Sequence, residues 1–231
     1  RVDVHEFSRA EQDAYALRSY QRAQGAIREG VLAEEIVPVV KSSRKGDVTV
    51  SEDEEPFRVD FDRLTSLRPV FKKDGTITAA NASTINDGAA FLLLAGADAV
   101  KSHGLKPRAK IIGVSTHSLH PDLYPDAPVG AIEKACAHAG LRPEDIGLFE
   151  INEAFALVTM IAIKDLGLDV ERVNVNGGAV AIGHPIGASG ARLAATLIHE
   201  MGRRGDRYGL ATLCIGGGEA VAVVFERVDQ L

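Results

Sequence analysis

From Lys106 onward the chain alternates short apolar runs with helix-length stretches, and this alternation constrains the fold more than any other feature. Ile111 to Val114, Ile146 to Ile151, Tyr208 to Cys214 and Ala220 to Arg227 read as strands. Pro128 to Ala139, Ala154 to Leu166 and Ser189 to Gly202 read as helices, the first two stopping at Gly140 and Gly167. Strands separated by helices of this length specify a layered α/β domain. The closing pair of strands is joined by a glycine turn and reads as antiparallel, so the expected sheet is mixed.

The first 105 residues are less regular. Ser8 to Gly30 reads as one helix, capped by Ser8 with Glu11 closing a capping box and stopped by Gly30. Ala14, Leu17 and Ile27 supply its apolar surface. Ile36 to Val40 reads as a short strand, which Pro38 confines to an edge. Residues 41 to 70 hold no period: a basic run to Lys45 and an acidic run at Glu52 to Glu55 frame an excursion with little regular structure. Its Phe57, Phe61, Leu64 and Leu67 are too apolar for a disordered linker. Ala89 to Leu94 reads as a buried strand, and Ala97 to His103 as a short helix ending at Gly104.

With 231 residues, 45% hydrophobic and 25% charged, the chain is long enough for one large domain or two small ones. A net charge of −6 argues against a nucleic-acid partner or an anionic membrane surface. No apolar run reaches membrane-spanning length. Two cysteines, Cys136 and Cys214, exclude a dense disulfide framework, and neither sits at zinc-ligand spacing, so no metal is expected. The chain opens on Arg1, weak evidence for truncation or cleavage. Cytoplasm is the default location, with an organellar leader left open.

Four segments hold the chemistry-bearing residues. The strongest is Gly183-His184-Pro185-Ile186-Gly187-Ala188-Ser189-Gly190, preceded by Asn176-Gly-Gly178 and followed by a helix. Glycines let a ligand approach the backbone beside one imidazole, although a glycine-rich turn around a structural histidine has the same spelling. Cys214-Ile215-Gly216-Gly217-Gly218 ends an apolar strand. It offers a nucleophile or proton carrier, or simply a small buried hydrophobe. Asn152-Glu153-Ala154-Phe155-Ala156 lies at a strand-to-helix junction, where Asn152 either caps the helix or orients a water or carbonyl. Glu153 needs a partner if buried. Asn81 to Gly88 reads as a small polar turn.

In this order and at these separations, the NEAFA, GHPIGASGAR and CIGGG segments resemble the thiolase family. The run LRPVFKKDGTITA into NASTIND, Leu67 to Asp87, agrees, and the likeness is greatest to acetyl-CoA acetyltransferases of the biosynthetic type. The resemblance implies a layered α/β/α fold and a reversible Claisen condensation or thiolysis of 3-ketoacyl-CoA. Coenzyme A thioesters are then substrates, with no permanently bound cofactor. It implies that His184 stabilises the thioester enolate oxygen, that Asn152 holds a water in that oxyanion site, and that Cys214 carries the proton. Gly216 implies a backbone N–H of a second oxyanion hole. Ser83 resembles a coenzyme-A contact, and Phe71 and Phe155 resemble walls of the pantetheine tunnel. Preorganised donors of this kind act where negative charge develops in the transition state, and a second nucleophile splits one hard step into two.

The family's acyl-accepting cysteine finds no match, since Cys136 reads as packing inside a helix. The resemblance therefore implies a chain equal to the C-terminal three-fifths of the family, with the N-terminal half of the fold absent. Residues 1–85 are read as part of a loop domain, 86–105 as the last strand and helix of the N-terminal domain, and 106–231 as the C-terminal domain. Such a chain is expected to be inactive alone and to need the missing portion as partner, within a dimer or tetramer. Thr84 replaces the usual glycine, Glu219 would raise the Cys214 thiol if it stands close to it, and Tyr124 occupies the place of a pocket-lining methionine. Two other readings stay open: a non-catalytic subunit that binds acyl-CoA, and a ketoacyl-synthase-like condensing enzyme. Cys214 in place of a second histidine counts against the latter.

Overall fold

The structure is a computed structural model that describes residues 1–228. In chain order the first part contains α1 (Val2–His5), α2 (Arg9–Arg28), β1 (Val39–Ser43), β2 (Gly46–Val50), α3 (Phe61–Leu64) and α4 (Ala97–Ser102). The second part contains β3 (Ala109–Ser118), α5 (Ala127–His138), β4 (Leu148–Ile151), α6 (Ala156–Leu166), α7 (Ala179–Ile182), α8 (Ser189–Arg204), β5 (Tyr208–Ile215) and β6 (Glu219–Arg227).

The strands from β3 onward form one mixed sheet in the order β3-β6-β5-β4. β4 and β5 run parallel, with Ile151 opposite Thr212, while β6 is antiparallel to both β5 and β3. Alternate residues point to opposite faces, so each strand feeds two cores. Phe149, Ile151, Leu210, Ala222 and Val224 pack under α5 with Ile132 and Cys136. Leu148, Ala211 and Phe225 pack under α8 with Leu193, Leu197 and Met201. The result is a layered α/β domain, as the alternation predicts, with the α/β/α order that the resemblance implies.

β4 lies at the end of this order, yet all four of its residues are buried. Its outer edge is closed by Asn174, a non-glycine residue at φ 47°. Asn174 N–H donates to Phe149 O (2.9 Å), its Oδ1 accepts from Ile151 N–H (2.8 Å), and its Nδ2 donates to Ile151 O (2.8 Å). One asparagine thereby stands in for a missing neighbour strand.

α2 starts at the predicted cap. Ser8 N–H donates to Glu11 Oε2 at 2.7 Å, and Glu11 N–H returns to Ser8 Oγ at 3.2 Å. Its buried face differs from the expectation. Ala14 is exposed and Leu17 and Ile27 are half-buried, whereas Ala16, Tyr20 and Ala23 are sealed beside polar Gln12, Asp13 and Ser19. The reason is what α2 packs on. Gly177, at φ 78°, brings the 176–178 turn so near that a Cβ there would sit within 2.6–2.8 Å of Ser19 O and Ala23. A backbone approached by backbone needs small residues and hydrogen-bonding groups rather than a leucine face.

Three expectations are corrected. The strand placed at Ile36 to Val40 begins only at Val39, after Pro38, which has no N–H to give a ladder. The 41–70 excursion opens with a hairpin, β1 on β2, closed by Arg44-Lys45 with Ser43 opposite Gly46. Both strands are exposed throughout, so no apolar alternation announced them. Residues 89–94 form no strand, and Phe91, Leu93 and Leu94 are each more than 70% exposed. No described segment pairs with them, and a strand is stabilised by its ladder.

On the α8 face of β4, Glu150 is buried and meets Arg192 Nη1 at 3.1 Å. Burial outweighs this contact and pushes the Glu150 carboxyl up to about 8. A carboxyl raised in the folded state stabilises fully below its ordinary value of 4.5, and that stability is lost as pH rises toward 8. Melting temperature followed from pH 5 to 8.5 should therefore fall more steeply in the wild type than in Glu150→Gln, by the equivalent of a few kcal/mol. Equal slopes would show that Glu150 ionises freely.

Candidate active site

β4 and β5 end on the same edge of the sheet because they are parallel. Asn152 N–H extends the ladder to Thr212 O (2.9 Å), and Cys214 lies one position beyond the residue opposite Asn152. With strands about 4.8 Å apart and a rise of about 3.3 Å per residue, their Cα atoms are about 6 Å apart. The carboxyl ends of sheet strands are where α/β folds place their ligands.

His184 arrives at this edge from the loop between α7 and α8. Its backbone N–H donates to Thr84 O (2.9 Å), and Ile85 bridges to His184, so the Asn81–Asn86 segment holds the loop from outside. The same segment contacts the NEAFA turn: Ala82 bridges Phe155, and Ala156 N–H donates to Asn81 O (2.9 Å). A stretch that reads as a mere polar turn is therefore the spacer between two chemistry-bearing loops.

Asn152 is fully buried, and its Nδ2 lies 3.3 Å from His184 Nε2. Its Oδ1 is buried with no protein partner. The opposite ring nitrogen of His184, Nδ1, lies 2.6 Å from Ser189 Oγ. Burial and the nearby Arg192 guanidinium lower the His184 pKa from 6.5, so the ring is neutral at physiological pH.

Cys214 is 9% exposed, and burial pushes its thiol up to about 11. The direction is the one a close Glu219 would give, but the cause is different. Glu219 plays no part in that shift, which comes from desolvation. The thiol rests protonated. Tyr124, just before α5, is raised by burial and by its proximity to Cys214. Cys136 is sealed in the α5 core.

The other expected residues fall into two groups. Phe71 and Phe155 meet edge to face with centroids 6.2 Å apart, and Ser83 Oγ donates to Ala154 O at 3.0 Å, so these three share one wall next to the NEAFA turn. Gly216 lies in the exposed turn between β5 and β6, where a Cβ would meet nothing within 4 Å. Among the described residues no cluster is arranged to hold a metal ion, and no helix is long and apolar enough to cross a membrane.

Glu153 is the residue whose weight the sequence understated. It is fully buried, and its carboxylate accepts from Tyr15 Oη (2.9 Å), Ser19 Oγ (2.7 Å), Asn174 Nδ2 (2.8 Å) and Val180 N–H (3.1 Å). It binds α2, the β4 end and α7 into one frame around Asn152. A glutamate at a strand end was the available signal. Nothing in the sequence marked Asn174.

Known proteins resemble the chain from end to end. The thiolase C-terminal domain model matches residues 105–227, and the thiolase N-terminal domain model matches residues 2–98. The acetyl-CoA acetyltransferase of Schizosaccharomyces pombe is 48% identical over 229 residues, covering 98% of this chain and 58% of that protein. The beta-ketoadipyl-CoA thiolase of Pseudomonas putida is 46% identical, with the same coverage. The crystal structure of the Bacillus anthracis acetyl-CoA acetyltransferase superposes with a TM-score of 0.95 at 44% identity, again over 98% of this chain and 58% of that one.

The match to the N-terminal domain overturns three linked expectations: that this half of the fold is absent, that the chain is only a C-terminal portion inactive alone, and that it needs a missing N-terminal portion as partner. α2, whose Tyr15 and Ser19 hold Glu153, falls within the N-terminal match. The chain spans 58% of the length of the relatives named above. It belongs to the thiolase family.

Proposed function

We propose that this chain acts as a thiolase-type acyltransferase, catalysing reversible Claisen condensation and thiolysis of 3-ketoacyl-CoA such as acetoacetyl-CoA, with coenzyme A thioesters as its only cofactor-like ligands. The observation that carries this is the Asn152–His184 contact at the end of β4, on the same sheet edge where β5 ends at Cys214 and Ile215. In this reading the thiol of coenzyme A gives its proton to His184 Nε2, the resulting thiolate attacks the 3-keto carbon, and the bond to the α carbon breaks. The electron pair moves into the thioester carbonyl, and its oxygen lies against Asn152 and protonated His184. Cys214 then gives its proton to the α carbon. A thiol raised to about 11 suits that step, because it begins protonated and yields a strongly basic thiolate for the reverse reaction.

The remaining assignments belong to the same reading. Ser83, Phe71 and Phe155 flank the pantetheine arm, Gly216 N–H faces the second oxyanion, and Tyr124 bounds the acyl end. The division at residues 1–85, 86–105 and 106–231 stands as a proposal, as do a homodimeric or tetrameric assembly and a cytoplasmic location. The relatives' printed substrates, acetyl-CoA and beta-ketoadipyl-CoA, define the short acyl range to test.

Acetoacetyl-CoA thiolysis is the direct test. Cys214→Ala should lower kcat by at least about a hundredfold, and full activity in that variant would defeat the proton-transfer role. The pH profile gives a second check. His184 has a lowered pKa and must be neutral to accept a thiol proton, so the acidic limb of kcat/KM should lie below pH 6.5. A limb above that value would contradict the assignment.

A further inference from the structure

Resting on that reading, we propose that Ser189 is a positioning residue that fixes the tautomer of His184, keeping the proton on Nδ1 and turning a bare Nε2 toward Asn152 and the reacting groups. The argument follows the hydrogens. Ser189 Oγ has one proton and two neighbours, Pro185 O at 3.1 Å and His184 Nδ1 at 2.6 Å. Pro185 O can only accept, so the hydroxyl donates there and accepts from Nδ1–H. On the other side of the ring, an amide nitrogen only donates. Asn152 Nδ2 at 3.3 Å therefore matches a bare Nε2. The Ser189 contact sets the tautomer, and the Asn152 contact, from a different element of the fold, is satisfied by the same one.

The placement of Ser189 makes it suited to this task. It is the first residue of α8 and is 1% exposed. Its hydroxyl returns to the carbonyl four residues back, a common habit of serine at a helix start. Its backbone N–H also donates to Pro185 O (2.9 Å), so hydroxyl and main chain are anchored to one acceptor. The imidazole rotates only at the expense of these bonds. A bare Nε2 serves first as a base for an attacking thiol. Once protonated, it donates to the enolate oxygen without any movement of the ring. The other tautomer offers N–H at the start and has no lone pair to take the thiol proton.

The test reads tautomer and turnover separately. In protein labelled with 15N-histidine, with His184 signals assigned from their loss in His184→Gln, the wild type at neutral pH should show pyrrole-type Nδ1 and pyridine-type Nε2. Ser189→Ala should give a mixed or inverted pattern, and Ser189→Thr should restore the wild-type one. In the thiolysis assay Ser189→Ala should lose roughly ten- to a hundredfold in kcat with KM little changed, and Ser189→Thr should recover most of it. A wild-type spectrum with Nε2–H overturns the proposal whether or not any variant folds. So does an unchanged tautomer in Ser189→Ala. Failure of the functional reading looks different: no thiolysis by the wild type, with the tautomer still as stated.

Discussion

A single carboxylate taken wholly out of water holds this molecule's active edge together. Burying an ionised carboxyl costs several kcal/mol unless donors replace its hydration. Glu153 finds four, from α2, from the Asn174 turn and from the start of α7. The arrangement is exacting in both directions. Asn174 can reach Glu153 only because it also closes the free edge of β4. Ser19 donates to Glu153 while accepting from Gly178 N–H at 2.9 Å. A Cβ on Gly178 would run into the carboxylate, so the glycine is fixed by close approach. Asn152 precedes Glu153 in the chain and inherits its position from this frame.

Burial acts on two groups of the site in different ways. The His184 imidazole is pushed toward its neutral form by partial burial and by Arg192. The Cys214 thiol is kept protonated by deeper burial. Arg192 acts on two groups at once, lowering His184 and meeting Glu150 on β4. Desolvation, more than any single pair of charges, therefore sets the protonation pattern.

Local signals in the sequence translated well where they were chemical. The Ser8–Glu11 box, the glycine stops at Gly140 and Gly167, and the antiparallel closing strands all depend on near neighbours. The constellation of Asn152 and His184 was legible because each lies beside a loop whose composition is unusual. What stayed hidden depends on distant partners. The polar face of α2 makes sense only against Gly177, and Asn174 only against the bare edge of β4. The β1–β2 hairpin lacks a buried face and so lacks a pattern. Residues 89–94 show the reverse case, in which an apolar run carries strand propensity but nothing supplies a ladder. The cause of the raised Cys214 thiol was misassigned to Glu219, because a charged neighbour is visible in sequence and burial is not.

The sheet's connectivity also sets an order of assembly. Ile215 meets Glu219 a few residues on, and the β5–β6 ribbon closes cheaply across its glycines. Ile151 must find Thr212 from far along the chain, and Ala109 must find Arg227 from farther still. Contacts of long sequence separation carry the larger entropic toll before they return any stability. The seam that unites Asn152 with Cys214 is such a contact. On the proposed reading, a half-collapsed polypeptide that already displays the β5–β6 ribbon holds the Cys214 thiol but lacks its counterpart from β4 until the parallel seam closes.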